Sequence, residues 1–190
     1  MPDNKKMVEI RHFKMSFGDK TVIKDLSFDV FRGEVFGFLG SNGSGKTTTL
    51  RALLGLYQPT AGDLLINGKP YSVGSRIRLG YLPEERGLYK KEKVLDVMLY
   101  FGQLKGLSRK EAKDFSLNFL ERVNLSDKAN TQLDKLSGGQ QQKIQLGVTI
   151  MGDPELLIMD EPAKGFDPVN RRLLMNIIEE QRKADRKSVV

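Results

Sequence analysis

Two kinds of hydrophobic pattern divide this chain. Apolar and polar positions alternate along MVEIRHF and more clearly along LSFDVF, as in strands with one covered face. DLLINGKPY adds Asn67-Gly68, a strong signal for a two-residue hairpin turn. These segments predict a small antiparallel layer. EVFGFLG (34–40) and ELLIMD (155–160) are instead nearly continuous apolar runs, the pattern of parallel strands covered on both faces. SVV (188–190) predicts the start of a third such strand. Between residues 93 and 151 the pattern becomes helical. In SRKEAKDFSLNFLERVN, Ser108 and Glu111 form a capping box, and Ala112, Phe115, Phe119, Leu120 and Val123 share one face. KVLDVMLYFGQLKG before it also predicts a helix, with Gly106 as its stop. The expectation is one domain over residues 1–190: an α/β core of residues 1–84 and 152–190, interrupted by a helical insert over 85–151 that GYLPEERGLY enters.

Composition narrows the function classes. The 190 residues are 39% hydrophobic and 29% charged, the balance of a globular protein in water. The net charge is +7, but basic residues are spread among acidic ones, as in RKEAKD and EEQRKADRK, which reads as a mixed solvated surface rather than a nucleic-acid patch. With no cysteine and one histidine, disulfides, cysteine zinc sites and His-rich metal sites are excluded. That fits a cytosolic protein. MPDNKKMVEI lacks the apolar core of a signal peptide, and no run of about eighteen apolar residues is present, so a membrane role must come through a partner. The single histidine, His12, sits on an early strand and reads as structural.

Three short segments carry chemistry. GSNGSGKTT (40–48) follows an apolar strand and opens the helix KTTTLRALLGL, the context a phosphate loop requires. Gly40, Gly43 and Gly45 let the backbone turn its N–H groups toward phosphate oxygens, Lys46 reaches the β- and γ-phosphates, and Thr47 ligates Mg²⁺. The competing reading, an ordinary glycine-rich turn, requires a pattern that arises by chance in about one chain in a hundred of this length. In LLIMDEP, Asp160 ends an apolar strand where a carboxylate can hold Mg²⁺ through its water shell, and Glu161 can polarise an attacking water. Taken alone, that Asp-Glu-Pro is equally a simple turn. LSGGQQQKIQ is a second glycine turn opening a helix, with no lysine positioned to grip a phosphate.

GSNGSGKTT, LSGGQ and LLIMDEP, in this order with a helical insert before the second, resemble the nucleotide-binding domain of ATP-binding cassette (ABC) proteins over essentially the whole chain. The resemblance implies a P-loop NTPase (RecA-like) α/β core with an antiparallel β layer and an inserted helical subdomain. It implies ATP and Mg²⁺ as cofactors, with Ser41, Asn42, Ser44 and Thr48 joining the glycines, Lys46 and Thr47 around the nucleotide. In this family two domains pair head to tail, and each signature closes over the ATP of the other. Leu136, Ser137, Gly138, Gly139 and Gln140 would then serve the neighbour's γ-phosphate, although a plain helix cap at Ser137 is also physically sound.

Other family positions carry over singly. Phe17 matches the aromatic that stacks on adenine, usually Tyr, although a core Phe is the other reading. Glu84 stands where the family usually has Gln, a catalytic and metal-side position; a carboxylate there adds negative charge near Mg²⁺ and cannot donate. Asp167 in GFDPVN matches the aspartate that crosses the dimer interface and is also a natural N-cap, with Pro168 following. The preceding PAKG is unusual for that loop.

The resemblance thus implies an ATPase acting with a second ABC domain and integral membrane permease subunits, cytoplasmic and peripheral on the membrane. GYLPEERGLY with LKGLSRKEA looks like the branch that drives prokaryotic exporters of sodium, drugs or polysaccharides. The alternatives are a soluble ABC ATPase acting on nucleic acid or ribosomes, and a chain that binds nucleotide without turning it over. No nucleic acid is expected as a partner. In the family one more strand, ending in a histidine, follows the catalytic glutamate, whereas DRKSVV enters that strand and stops at Val190. The resemblance therefore leads to the expectation of a fragment that binds ATP and hydrolyses it slowly.

Overall fold

The structure, a computed structural model, describes residues 5–72, 75, 77–85, 87–183 and 187–189. In chain order the elements are β1 (Lys6–Phe17), β2 (Lys20–Ile23), β3 (Phe28–Phe31), β4 (Val35–Phe36), α1 (Lys46–Leu53), β5 (Ala61–Ile66), β6 (Leu79–Leu82), α2 (Val94–Leu104), α3 (Arg109–Arg122), α4 (Gly138–Ile150), β7 (Leu156–Met159), α5 (Pro168–Lys183) and β8 (Lys187–Val189). Short 3₁₀ turns at Ser126–Lys128 and Leu133–Lys135 lead into α4. The chain divides into two compact units, Met1–Ile77 with Ile178–Val190, and Arg78–Ile177.

The first unit contains the expected antiparallel layer. β1 pairs antiparallel with β2, β3 and β5. Its buried residues Met7, Val8, Ile10, Phe13 and Met15 form a core with Val30, Leu64 and Ile66. The alternation breaks at His12, which has φ 47° and lies where the register against β5 shifts, between Arg11 and Lys14. Its ring is exposed and 3.4 Å from Asp25. Asn67 (φ 52°) and Gly68 (φ 78°) make the two-residue turn that the dipeptide predicts, with Ile66 and Lys69 exchanging both backbone hydrogen bonds. Among the described residues the returning arm makes that one bridge. On this layer Lys6 and Arg11 are paired with Glu9 and Asp29, so these cations belong to a mixed-charge surface.

The run at 34–40 differs from expectation. Only Val35 and Phe36 form a strand, pairing parallel with Ser188 and Val189 of β8. Leu39 is 91% exposed, so the segment is not covered on both faces. The reason is ladder length: β8 has three residues, and among the described residues nothing pairs with the run beyond Phe36. The third parallel strand predicted at 188–190 does form, as β8, with Val190 outside the described residues.

In the second unit, β6 and β7 pair parallel from Leu79↔Leu156 to Leu82↔Met159. Every residue of β7 is buried, as its unbroken apolar sequence requires. α2, α3 and α4 pack together through Val97, Met98, Ala112, Phe119, Leu120, Ile144 and Leu146. Ser108 and Glu111 make the predicted capping box on α3.

α4 also has a cap from outside itself. Lys105, just past α2, donates to the carbonyls of Val148, Thr149 and Met151 at 2.6, 2.8 and 3.0 Å. The last carbonyls of a helix lack intrahelical donors, and a cation there also meets the negative end of the helix dipole. Burial nevertheless pushes the lysine down to about 8. Lys105→Met strands these carbonyls and should cost about 1–3 kcal/mol in denaturant unfolding at neutral pH. Because the folded value lies below the ordinary 10.5, the unfolded chain binds more protons between the two. Stability should therefore rise with pH from about 8 to 10.5, and Lys105→Met should flatten that rise.

Candidate functional site

In the first unit the glycine loop is built around left-handed backbone. Gly43 has φ 79° and Gly45 φ 94°. Ser44 N–H donates to the Ser41 carbonyl, closing a tight turn. Gly45 is the N-cap of α1 and has no side chain to satisfy the first amides, so these backbone donors are left for a ligand. Lys46 folds its ammonium back over the loop, onto the Gly40 and Ser41 carbonyls at 2.8 and 3.2 Å. Ser41, Asn42, Gly43 and Ser44 are exposed, and Thr47 and Thr48 are half-buried on the first turn of α1. A Cβ on Gly45 would lie 2.8 Å from Ile23 Cγ1, so β2 packs directly on the loop. The same hairpin carries Phe17, 46% exposed, with its ring edge-on to Tyr57 at 5.4 Å. Tyr57 in turn accepts a hydrogen bond from Arg51. A braced, exposed ring face is what stacking on a base requires.

In the second unit, residues follow the carboxyl ends of the paired strands. Asp160 N–H donates to the Leu82 carbonyl at 2.8 Å, extending the β6–β7 ladder one step. The Asp160 side chain is buried, and its Oδ2 has no hydrogen-bond partner among the described residues. Glu161 is exposed and takes φ 50°, turning the chain sharply away from the sheet. Glu84, two residues beyond β6, is paired with Lys164 at 2.5 Å. Asp167 accepts from the backbone N–H of Asn170 at 2.8 Å, the N-cap contact its sequence predicts at the start of α5.

The signature opens α4. Ser137 Oγ accepts from Gln140 N–H, and Gln140 Oε1 accepts from Ser137 N–H, a full capping box. Leu136 anchors the turn in the core, while Gly138, Gly139 and Gln140 are half-buried. The plain cap expected at Ser137 is thus a full capping box, with the S-x-x-Q spacing of Ser137 and Gln140 as its sequence signal. Two more residues carry no motif of their own. Gln145 Nε2 donates to the carbonyls of Pro83 and Glu85, tying the segment around Glu84 to α4. Lys164 meets Glu84. An open cleft of about 310 Å³ is lined by Glu84, Glu85, Lys90, Gln141, Gln142 and Lys164.

The candidate residues thus form two groups, each within its own unit. Residues 40–48 and Phe17 are in one; Glu84, Asp160, Glu161, Asp167 and residues 136–140 are in the other. Both fit the ligands the motifs imply. The uncapped amides and glycine cradle suit a phosphate chain. A buried carboxylate with one unbonded oxygen suits a hard cation such as Mg²⁺.

An α/β fold with a glycine loop at a helix start and a buried aspartate at a strand end defines a P-loop nucleotide-binding protein. The chain belongs to the ABC transporter family, whose model matches residues 23–164. It is 42% identical over 174 residues to an uncharacterized ABC transporter ATP-binding protein of Methanocaldococcus jannaschii, covering 92% of this chain and 63% of that protein. It is 38% identical over 174 residues to the Nod factor export ATP-binding protein I of a Rhizobium species, covering 90% and 57%. The chain therefore spans about six-tenths of the length of these curated relatives. Among solved structures, it superposes on an ATP-binding subunit of an ABC transporter with a TM-score of 0.85 at 27% identity, covering 96% of this chain and 78% of that one.

Two substitutions separate loop geometry from helix capping. Gly45→Ala places a Cβ at 2.8 Å from Ile23 with φ 94°, and should destabilise the chain by at least about 1–2 kcal/mol while weakening nucleotide binding. Ser137→Ala removes only the cap and should cost about 1 kcal/mol in urea unfolding, with nucleotide binding by the isolated chain unchanged.

Proposed function

We propose that this chain is the ATP-binding and hydrolysing part of an ABC exporter. The observation that carries the reading is the glycine loop, with left-handed Gly45 at the head of α1 and Lys46 folded across it. Bound Mg-ATP supplies the transferable γ-phosphoryl group and the cation that offsets its charge. In the first unit the N–H groups of residues 43–48 would cradle the phosphates, Lys46 would exchange the loop carbonyls for phosphate oxygens, and Thr47 would offer a hydroxyl to the metal; in the second unit Asp160 would offer the metal a carboxylate. Phe17 stacks on the base. Glu161 accepts a proton from the attacking water, and Glu84 orients that side of the site.

The signature helix acts in trans. Ser137, Gly138 and Gly139 present a hydroxyl and backbone donors to the nucleotide of a second ABC domain, and Asp167 lies at the same interface. The exported substrate contacts separate membrane permease subunits, which hold this domain on the cytoplasmic face. No helix among the described residues is long and apolar enough to cross a bilayer. One surface feature supports a membrane partner. Tyr89, Tyr100 and Leu104 are 54%, 46% and 64% exposed, and Tyr89 and Tyr100 pack edge to face at 5.7 Å on one surface of α2. The export activity named for the Rhizobium relative supports the direction.

Nucleotide with Mg²⁺ at about a hundred times its dissociation constant should stabilise the chain by roughly 2.7 kcal/mol, and Lys46→Ala should remove most of that gain. An equal thermal shift in wild type and Lys46→Ala refutes the assignment. Glu161→Gln should trap an ATP-bound dimer visible by size exclusion, and Ser137→Arg should abolish it. A Glu161→Gln protein extended through the family's histidine-ended strand that remains strictly monomeric in ATP at high concentration refutes the shared site.

A further inference from the structure

The carboxyl edge of the β6–β7 pair gathers acids. Glu84 and Glu85 follow β6 after Pro83, and Asp160 and Glu161 follow β7 directly. An edge this acidic repels an anionic ligand unless a cation is built in. Lys164 provides one: its Nζ lies 2.5 Å from Glu84 Oε1, with Glu84 and Lys164 36% and 62% exposed. Each loop also has contacts of its own. Gln145 ties down Pro83 and Glu85 by their carbonyls. The turn carrying Lys164 is closed by its own N–H on the Glu161 carbonyl at 3.0 Å and anchored by buried Phe166. A half-exposed ion pair adds little to stability, so the pair's main effect is on local charge. Both members also stand at positions that the resemblance marks as unusual, Glu84 for Gln and the PAKG loop.

We propose that Lys164 is a positioning residue of the acidic edge after β6 and β7: it holds the Glu84 carboxylate and cancels its charge, so that Glu84 can stand with Asp160 and Glu161 where the metal of Mg-ATP would be held. The assignment rests on the reading of Glu84 as a metal-side residue. Lys164 acts through Glu84 and does not itself grip phosphate.

The test is equilibrium binding of Mg-ATP, read with a fluorescent ATP analogue, together with the melting temperature of each variant. Lys164→Ala should bind about fivefold more weakly than wild type at low salt, and the deficit should shrink at high salt. Lys164→Arg should bind like wild type. Glu84→Gln should bind at least as tightly as wild type, and adding Lys164→Ala to it should change nothing further. Unaltered binding by Lys164→Ala overturns the proposal. So does a deficit that persists in the Glu84→Gln background, since Lys164 would then contact the nucleotide directly. A large drop in the melting temperature of Lys164→Ala overturns it in favour of a structural brace. Wild type that binds no more Mg-ATP than Lys46→Ala sinks the parent reading and this proposal with it, an outcome distinct from the others.

Discussion

The hydrogen bond from Asp160 N–H to the Leu82 carbonyl fixes the chemistry of residues 78–177. It continues the parallel ladder one step past the last residue pair, so both strands release their chains at the same level. Glu84, Asp160 and Glu161 consequently emerge from one edge of the sheet, which is where open α/β sheets place their ligands. A slip of one residue would turn Asp160 to the opposite face. A slip in the other direction would draw the half-buried Glu155 into the stretch where every residue of β7 is covered, which costs the burial of a charge. The positive φ of Glu161 is held in place by the same arrangement, with Pro162 and Phe166 buried on the far side of the turn. Strain of this kind survives only where surrounding structure enforces it, and here it points the Glu161 side chain outward instead of along the strand.

The two glycine-bearing helix starts solve the same problem in opposite ways. α1 begins at a glycine with no side-chain cap, and a lysine follows immediately. α4 begins at a serine that caps its third residue, with no lysine in its first turn. The first arrangement leaves the maximum number of amides for a ligand and adds a full positive charge, at the expense of helix stability without ligand. The second is stable by itself and offers fewer donors. A site in which one helix brings charge and the other only oriented amides is consistent with two such helices meeting one phosphate chain from different domains.

What was legible in the sequence had a short-range cause. Asn67-Gly68 turned as its φ preferences demand, Ser108 and Glu111 capped as their spacing demands, and the apolar run at β7 was buried. The glycine loop was recognisable because strand, glycines, lysine and helix occur together within a few residues. Misreadings and omissions had long-range causes. The run at 34–40 looked like β7, but its coverage depends on a partner strand that is over 150 residues later and only three residues long. Lys105 stands beside the predicted stop Gly106 and carries no local signal of its role, because its acceptors are more than forty positions away. The Glu84–Lys164 pair spans eighty positions, and in the sequence each member was visible only as an isolated oddity.

Gly139 separates the stability of the signature helix from its proposed use. The capping box satisfies the amide of Gln140, whereas the amides of Gly138 and Gly139 precede any intrahelical acceptor. A Cβ on Gly139 would meet nothing closer than the Gly165 carbonyl oxygen at 3.6 Å, an ordinary contact, and its φ is not in the left-handed region. Neither packing nor backbone conformation within this chain calls for glycine there. A glycine at this position costs the helix about 0.5–1 kcal/mol relative to alanine. A pair of half-buried glycine amides without intrahelical acceptors, at the positive end of a thirteen-residue helix, is suited to close approach by an anion from outside the chain. Gly45 is required by its own fold and Gly139 is not, so the stronger sign of an external ligand lies in the glycine that the chain could do without.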